Sequence, residues 1–293
     1  MANLKDLSGR IATLKNMQKV MRAMNLIATI KLRKLFRLQS SLELFESLLE
    51  KIAGDIQTAC TPLSHPIAGG GNKIEKVHVV VFSADKGLCG PHNTSVHKAL
   101  DLFMLGKASQ NIAVEVTCIG KRGASHCKRK AYTIFQQMEI HERGFDVSSA
   151  AQLASTLVQR FFNNDIQQIH IIANYFVSTL QQDTRTAQVL PFPSCDMKDI
   201  ERMAGDISFE PVPDEFLQEA GTLYFYYKLM SALFNSYLSE QSSRMTAMEN
   251  ATKNSEDLIR HYVKLMNRAR QANITNDLIE IISGKEALKG SMS

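Results

Sequence analysis

The sequence predicts an α/β chain in which long helices at the two ends form an antiparallel coiled coil, with a small Rossmann-like α/β domain inserted between them. Three observations carry this. All seven prolines lie between residues 62 and 213, with ten of the fifteen glycines between Gly69 and Gly205, so the two ends are free to be long helices. Apolar residues in the first segment recur at steps of three, four or seven, the period of a coiled-coil seam, and those of the last segment keep a similar stride. The middle instead alternates β-branched runs with helical stretches.

In the first segment, placed at residues 1–60, the seam runs through Leu7, Ile11, Leu14, Met21, Ala28, Leu32, Leu35, Leu42, Phe45, Leu49, Ile52 and Ile56. That is a helix on the order of 80 Å long. The α/β domain is placed at residues 74–195. VHVVVFS (77–83), VEVTCIG (114–120) and IHIIANYFVS (169–178) are its strands, with helices near 93–105 and 147–163. The Gly-rich run at 69–71 and PFPSC at 191–195 read as the linkers into and out of it. The last segment, 212–288, repeats the stride through Leu223, Tyr227, Met230, Phe234, Met245, Met248, Thr252, Ile259, Tyr262, Met266 and Ala269. Helices this long have no compact core of their own, so they pack along each other.

With 293 residues, 44% hydrophobic and 22% charged, the chain has an ordinary globular composition. Its longest apolar run, Val77 to Phe82, has strand length and falls far short of a bilayer span. The start, MANLKDLSGR, has neither the apolar stretch of a secretory signal nor the Arg/Ser-rich look of a transit peptide, so a bacterial cytoplasmic origin is expected. Five scattered cysteines (Cys60, Cys89, Cys118, Cys127, Cys195) form no C-x-x-C pair and are expected as reduced thiols. Net charge is +5, yet residues 1–40 hold nine Lys/Arg against Asp6 alone, so the first helix is a basic rod. Such a rod fits nucleic acid, a membrane surface or an acidic protein sleeve.

No phosphate-binding, zinc-protease, nucleophile-elbow or dinucleotide fingerprint is present. The loop DKGLCGPHN, Asp85 to Asn93, follows the first strand where α/β folds often hold phosphate. Its spacing is not that of a phosphate loop, and it reads as a structural turn. His92 and His97 lack an acid or cysteine to complete a metal set, so a surface or loop role is expected. His126, beside Cys127, stands among Lys121, Arg122, Lys128, Arg129 and Lys130, which read as a solvated basic helix. Met17, Met21, Met24, Met245, Met248 and Met266 read as seam residues, although thioethers also suit a surface that meets several partner geometries in turn.

Three separated stretches carry a resemblance. The opening helix joins Asn16, Gln18, Lys19, Ala23, Met24, Lys31, Leu32 and Arg33. DKGLCGPHN is a short glycine motif after the first strand. The end carries S-R-M, A-M, A-T-x-N, N-x-A-R-Q-A, I-T and E-I-x-S-G in order. In these the chain resembles the gamma subunits of rotary F-type ATP synthases.

The resemblance implies a non-catalytic rotor shaft inside a ring of alternating alpha and beta subunits, with its α/β domain near the membrane c-ring and the epsilon subunit. It implies no cofactor, no nucleic acid, no small-molecule substrate of its own, and a peripheral place on the cytoplasmic face of the bacterial inner membrane. Met24, Arg244, Met245, Arg270, Gln271 and Thr275 are implied as contacts to the alpha/beta head, and Phe209 and Glu210, within ISFEP, as contacts to the ring and epsilon. Asp277 stands where the family commonly has Glu, Ile207 replaces an aromatic, His92 departs from the glycine motif, and Ile30 and Phe36 are bulkier than usual. These departures leave a divergent, sodium-coupled synthase open. The thiol regulation of chloroplast forms is not expected, since no cysteine-pair insertion follows Cys195. Two other classes stand beside this reading. A basic coiled-coil scaffold would show salt-sensitive DNA binding, and a small-molecule enzyme would bind a nucleotide saturably.

Overall fold

The computed structural model describes residues 4–60, 66–68, 73–139, 147–192 and 214–290, and of these the backbone alone at 40–43, 45, 46, 49, 52–60, 68, 147, 214–217 and 284–290. Two helices dominate, α1 (Leu4–Cys60, 57 residues) and α5 (Asp214–Gly290, 77 residues). Between them lie a 3-10 turn (Pro66–Ala68), β1 (Lys76–Phe82), α2 (His92–Ala108), β2 (Ala113–Ile119), α3 (Lys121–Arg129), β3 (Ile134–Met138), α4 (Val147–Phe162), β4 (Gln168–Phe176) and β5 (Gln182–Leu190). The chain forms two compact units, Met1–Ile27 with Met245–Ser293, and Ala28–Arg244.

In the first unit the two helices run antiparallel. Arg10 Nη1 meets Tyr262 Oη at 3.5 Å, Gln18 Nε2 donates to Glu256 Oε1 at 3.0 Å, and Asn25 Nδ2 donates to the Met245 carbonyl at 3.0 Å. As one number rises its partner falls. Leu7, Ile11, Met248 and Ser255 are buried. Gln18 and Asn25 complete the four-then-three stride between Leu14, Met21 and Ala28 that the apolar pattern passes over. Polar side chains at seam positions hold one register at some cost in stability. Ser255 on the opposite helix is also buried, its hydroxyl satisfied within its own helix by the Ala251 carbonyl at 2.8 Å. Met17 is 54% exposed and stands off the seam.

The second unit is built on a five-stranded sheet in the order β3-β2-β1-β4-β5, parallel except for β5, which pairs antiparallel with β4. Its central strand, KVHVVVF, is buried along six of seven positions, as a strand covered on both faces requires. On one face Val79, Val81, Val116 and Cys118 pack against Val96 and Leu100 of α2 and Ala124 and Cys127 of α3. On the other, Val80, Phe82, Ile169 and Ile171 pack against Leu153 and Leu157 of α4 and Phe225 and Leu229 of α5.

Several expectations are corrected here. Pro191–Phe192 is no free linker, because Phe192 is buried against Tyr224 with ring centroids 4.7 Å apart. Leu223 is 55% exposed and leaves the seam to Tyr224 and Phe225. β3 and β5 have no counterpart in the sequence reading. Both are edge strands, and polar runs such as QDTRTAQ protect an open edge while hiding the strand signal.

Gly120, between β2 and α3, has φ +103°, and a Cβ there would stand 2.0 Å from the Ser83 carbonyl oxygen. That oxygen belongs to backbone held to β2 by the Ser83 N–H donation to Ile119 at 2.8 Å. Gly120→Ala is expected to destabilise the α/β domain by on the order of 3 kcal/mol. An unchanged midpoint in urea unfolding would sink that expectation.

Candidate functional site

Rossmann-like sheets take ligands outside the carboxyl ends of the strands, where the strand order reverses. Here that crevice lies between β1 and β4, and α5 fills it. Ser239 Oγ donates to the Asn174 carbonyl at the end of β4 (3.3 Å), Ser242 Oγ to Thr179 in the turn after it (3.1 Å), and Ser243 Oγ to Cys89 in the loop after β1 (2.6 Å). The glycine motif is thus a receptor for the chain's own helix. Leu88 (φ 62°) and Gly90 (φ 54°) turn it, and the Ala84 N–H donates to Asn93 Oδ1 at 2.9 Å.

Around this contact every side chain from Ser239 to Arg244 is buried, at most 9% exposed. Arg244 Nη1 pairs with Glu240 Oε1 at 2.6 Å, one helical turn back. Desolvation raises the Glu240 carboxyl above its usual range despite Arg244 and the more distant Lys31. The same burial raises the Cys89 thiol.

His92 is the plainest correction to the sequence reading, since it is 1% exposed at the heart of this region. Asn174 Nδ2 donates to His92 Nδ1 (2.9 Å) and to its carbonyl (2.8 Å), while Asn174 Oδ1 accepts from Ser95 (3.2 Å) and Thr184 (2.6 Å). With Nδ1 accepting, the ring proton sits on Nε2. Burial, then the Arg244 charge, lower its pKa to about 3.

His126 and Cys127 also turn inward. His126 Nε2 lies 2.8 Å from Asp101 Oδ1, which also accepts from Tyr132 Oη at 2.8 Å, and His97 stacks on His126 at 4.2 Å. Cys127 Sγ is 3.5 Å from Cys118 Sγ, and both thiols are buried. Only Lys121, Arg122, Ser125 and the Lys128–Lys130 run face outward, so α3 is basic on one side alone. Among the described residues no group of three His, Cys, Asp or Glu stands close enough to hold a metal ion, and no helix is long and apolar enough to cross a membrane.

The residues implied as head contacts divide. Arg244 is internal. Met24 and Met245 are half-buried in the helix pair. Arg270, Gln271 and Thr275 lie on the last part of α5, where every described side chain from 270 to 283 is exposed. Thr275 Oγ1 donates to the Gln271 carbonyl at 2.9 Å. Phe209 and Glu210 lie outside the described residues. Nothing local marks the serines from Ser239 to Ser243 as buried, because the carbonyls they reach belong to β4, the turn after it and the loop after β1.

An α/β domain inserted between two long terminal helices, its ligand crevice filled by one of them, defines the class. The ATP synthase family pattern matches residues 3–288. The chain is 33% identical to the ATP synthase gamma chain of Magnetococcus marinus and 31% to that of Campylobacter lari, in each case over 99% of this chain and 100% of the relative. Among solved structures it resembles a chain of the Euglena gracilis mitochondrial ATP synthase, with a TM-score of 0.71 at 15% identity, covering 99% of this chain and 96% of that one. It also resembles a chain of the Tetrahymena thermophila mitochondrial ATP synthase central stalk and c-ring, with a TM-score of 0.59 at 22% identity, covering 79% and 99%. The chain belongs to the ATP synthase gamma chain family and has the role of gamma subunit in an F-type ATP synthase.

Proposed function

We propose that the chain is a non-catalytic rotor shaft whose helix pair turns inside a ring of alpha and beta subunits, while its α/β domain engages the epsilon subunit and the membrane c-ring. The observation that carries this is the end of α5. Ile274, Leu278, Ile279, Ile281 and Ile282 are each at least 52% exposed, on a helix stretch where every described side chain from 270 to 283 is exposed. Apolar surface of that extent marks an interface, and a ring of partner subunits covers a helix all round. ATP chemistry then stays on the partners. An asymmetric shaft meets each catalytic subunit differently and biases their conformations in sequence.

Arg270, Gln271 and Thr275 are the proposed polar contacts to this sleeve, with Met24 and Met245 as sliding contacts from the helix pair. Arg244 serves the head indirectly, by setting α5 in the α/β domain. Phe209 and Glu210 remain proposed contacts of the foot. The proposed place is the cytoplasmic face of a bacterial inner membrane.

Co-expression with the alpha and beta subunits of the same genome, followed by size-exclusion chromatography and an ATPase assay, tests this reading. A stoichiometric complex whose steady hydrolysis needs the chain is expected. A chain that elutes alone and leaves activity unchanged would overturn it. Within the assembled complex, Gln271→Leu is expected to lower steady ATP turnover about three- to tenfold through loss of directional hydrogen bonding. Unchanged turnover would remove Gln271 from the contact set.

A further inference from the structure

A shaft transmits torque only if its helix cannot roll in the domain that drives it. Upstream in α5 the contact with the sheet domain is apolar, through Phe225, Leu229, Ala232 and Leu233. Such packing is non-directional and resists rolling weakly. From Ser239 to Arg244 its character changes. Six successive residues, at about 100° each, go round the helix more than once, and all six are buried and polar.

We propose that Ser239, Ser242 and Ser243 are positioning residues that fix the rotational setting of α5 in the α/β domain, so that torque passes between the domain and the helix at this collar. The proposal rests on the rotor reading above. Positions 239, 242 and 243 fall within an arc of about 100° on the helix. Their hydroxyls reach three separate segments: the end of β4, the turn after it and the loop after β1. The acceptors are backbone carbonyls, which do not follow a rotating helix as a flexible side chain does. A roll of roughly 20° moves an oxygen some 5 Å from the axis by about 1.7 Å, enough to break a hydrogen bond.

Neighbouring observations support a built anchor. The loop that presents Cys89 is itself tied down, because Lys121 N–H donates to Asp85 Oδ1 at 2.8 Å and Arg122 N–H to the Ala84 carbonyl at 3.1 Å. Asn174, whose carbonyl receives Ser239, is wholly buried and held by four side-chain hydrogen bonds of its own. Glu240 and Arg244 brace an adjacent face of the same turns. A collar of Leu and Ala would bury as well without desolvating six polar side chains; what the serines add is direction.

The test uses the assembled complex, immobilised by its catalytic head, with a bead on the α/β domain. In Ser239→Ala/Ser242→Ala/Ser243→Ala the angular variance of the bead during catalytic dwells is expected to rise at least about twofold, and ion pumping per ATP hydrolysed to fall. Hydrolysis by the head is expected to stay within about twofold, which loss of folding or assembly would not allow. Ser243→Ala, which removes the shortest of the three bonds, decides the matter if the triple variant does not assemble. Unchanged variance and pumping ratio in an assembled variant would overturn the proposal. Absence of rotation in the wild-type complex would instead overturn the rotor reading.

Discussion

Lowering the pH from 6.5 to 4.5 is expected to withdraw about 5 kcal/mol from the α/β domain through His78 and His92 alone, enough to unfold a domain of ordinary stability. Both rings are wholly buried, and burial lowers each pKa to about 3 from 6.5. Arg160 adds to this at His78 and Arg244 at His92. The sign follows from proton counting. Below pH 6.5 the unfolded chain binds protons that the folded chain refuses, so the stabilisation is complete above that pH and is lost as pH falls towards 3. Each histidine contributes about 1.4 kcal/mol per pH unit within that window. His97 and His170, each lowered to about 4 chiefly by burial, act in the same direction.

Unfolding free energies from urea titrations at pH 5 and 6 should therefore differ by more than about 2.5 kcal/mol. The difference should shrink by about 1.4 kcal/mol for each residue replaced in His78→Gln and His92→Gln. A flat profile between pH 5 and 6 would show that these rings are solvated. The first unit has no buried histidine among its described residues, so the sheet signal should be lost first.

Glu240→Ala is the second large effect, an expected loss of about 3–5 kcal/mol measured by urea unfolding at pH 7. It leaves the Arg244 guanidinium buried without its 2.6 Å partner, with Nη2 already lacking a hydrogen bond. The attraction does not make the pair a net stabiliser, because burial still raises the Glu240 carboxyl. Replacing both residues, as Glu240→Leu/Arg244→Met, should recover most of the loss. If the double variant were as unstable as Glu240→Ala, the pair would be holding the collar by geometry rather than merely neutralising a charge.

Much of the fold is legible in the sequence because its signals are local. Proline placement frees the ends to be helical, the three-and-four stride pairs them, and the β-branched runs mark β1, β2 and β4. The three motif stretches place the chain in its family. The exposure of the end of α5 is not legible, since Ile274, Leu278 and Ile281 continue the four-and-three stride of a seam and only the structure shows them uncovered.

Polar residues that become internal carry no such local sign. Gln18 and Asn25 look like surface residues until a second helix supplies Glu256 and the Met245 carbonyl. His92 looks like a loop residue until Asn174, 82 positions later, turns its amide towards the ring. Ser239, Ser242 and Ser243 carry no local sign of burial until the sheet brings three carbonyls to them. The sequence alone determines which segments are helix and strand and which family they build, because periodicity and breakers act within a few residues. Tertiary structure alone decides which polar groups are buried, because a hydrogen bond exists only when the distant chain that completes it has arrived.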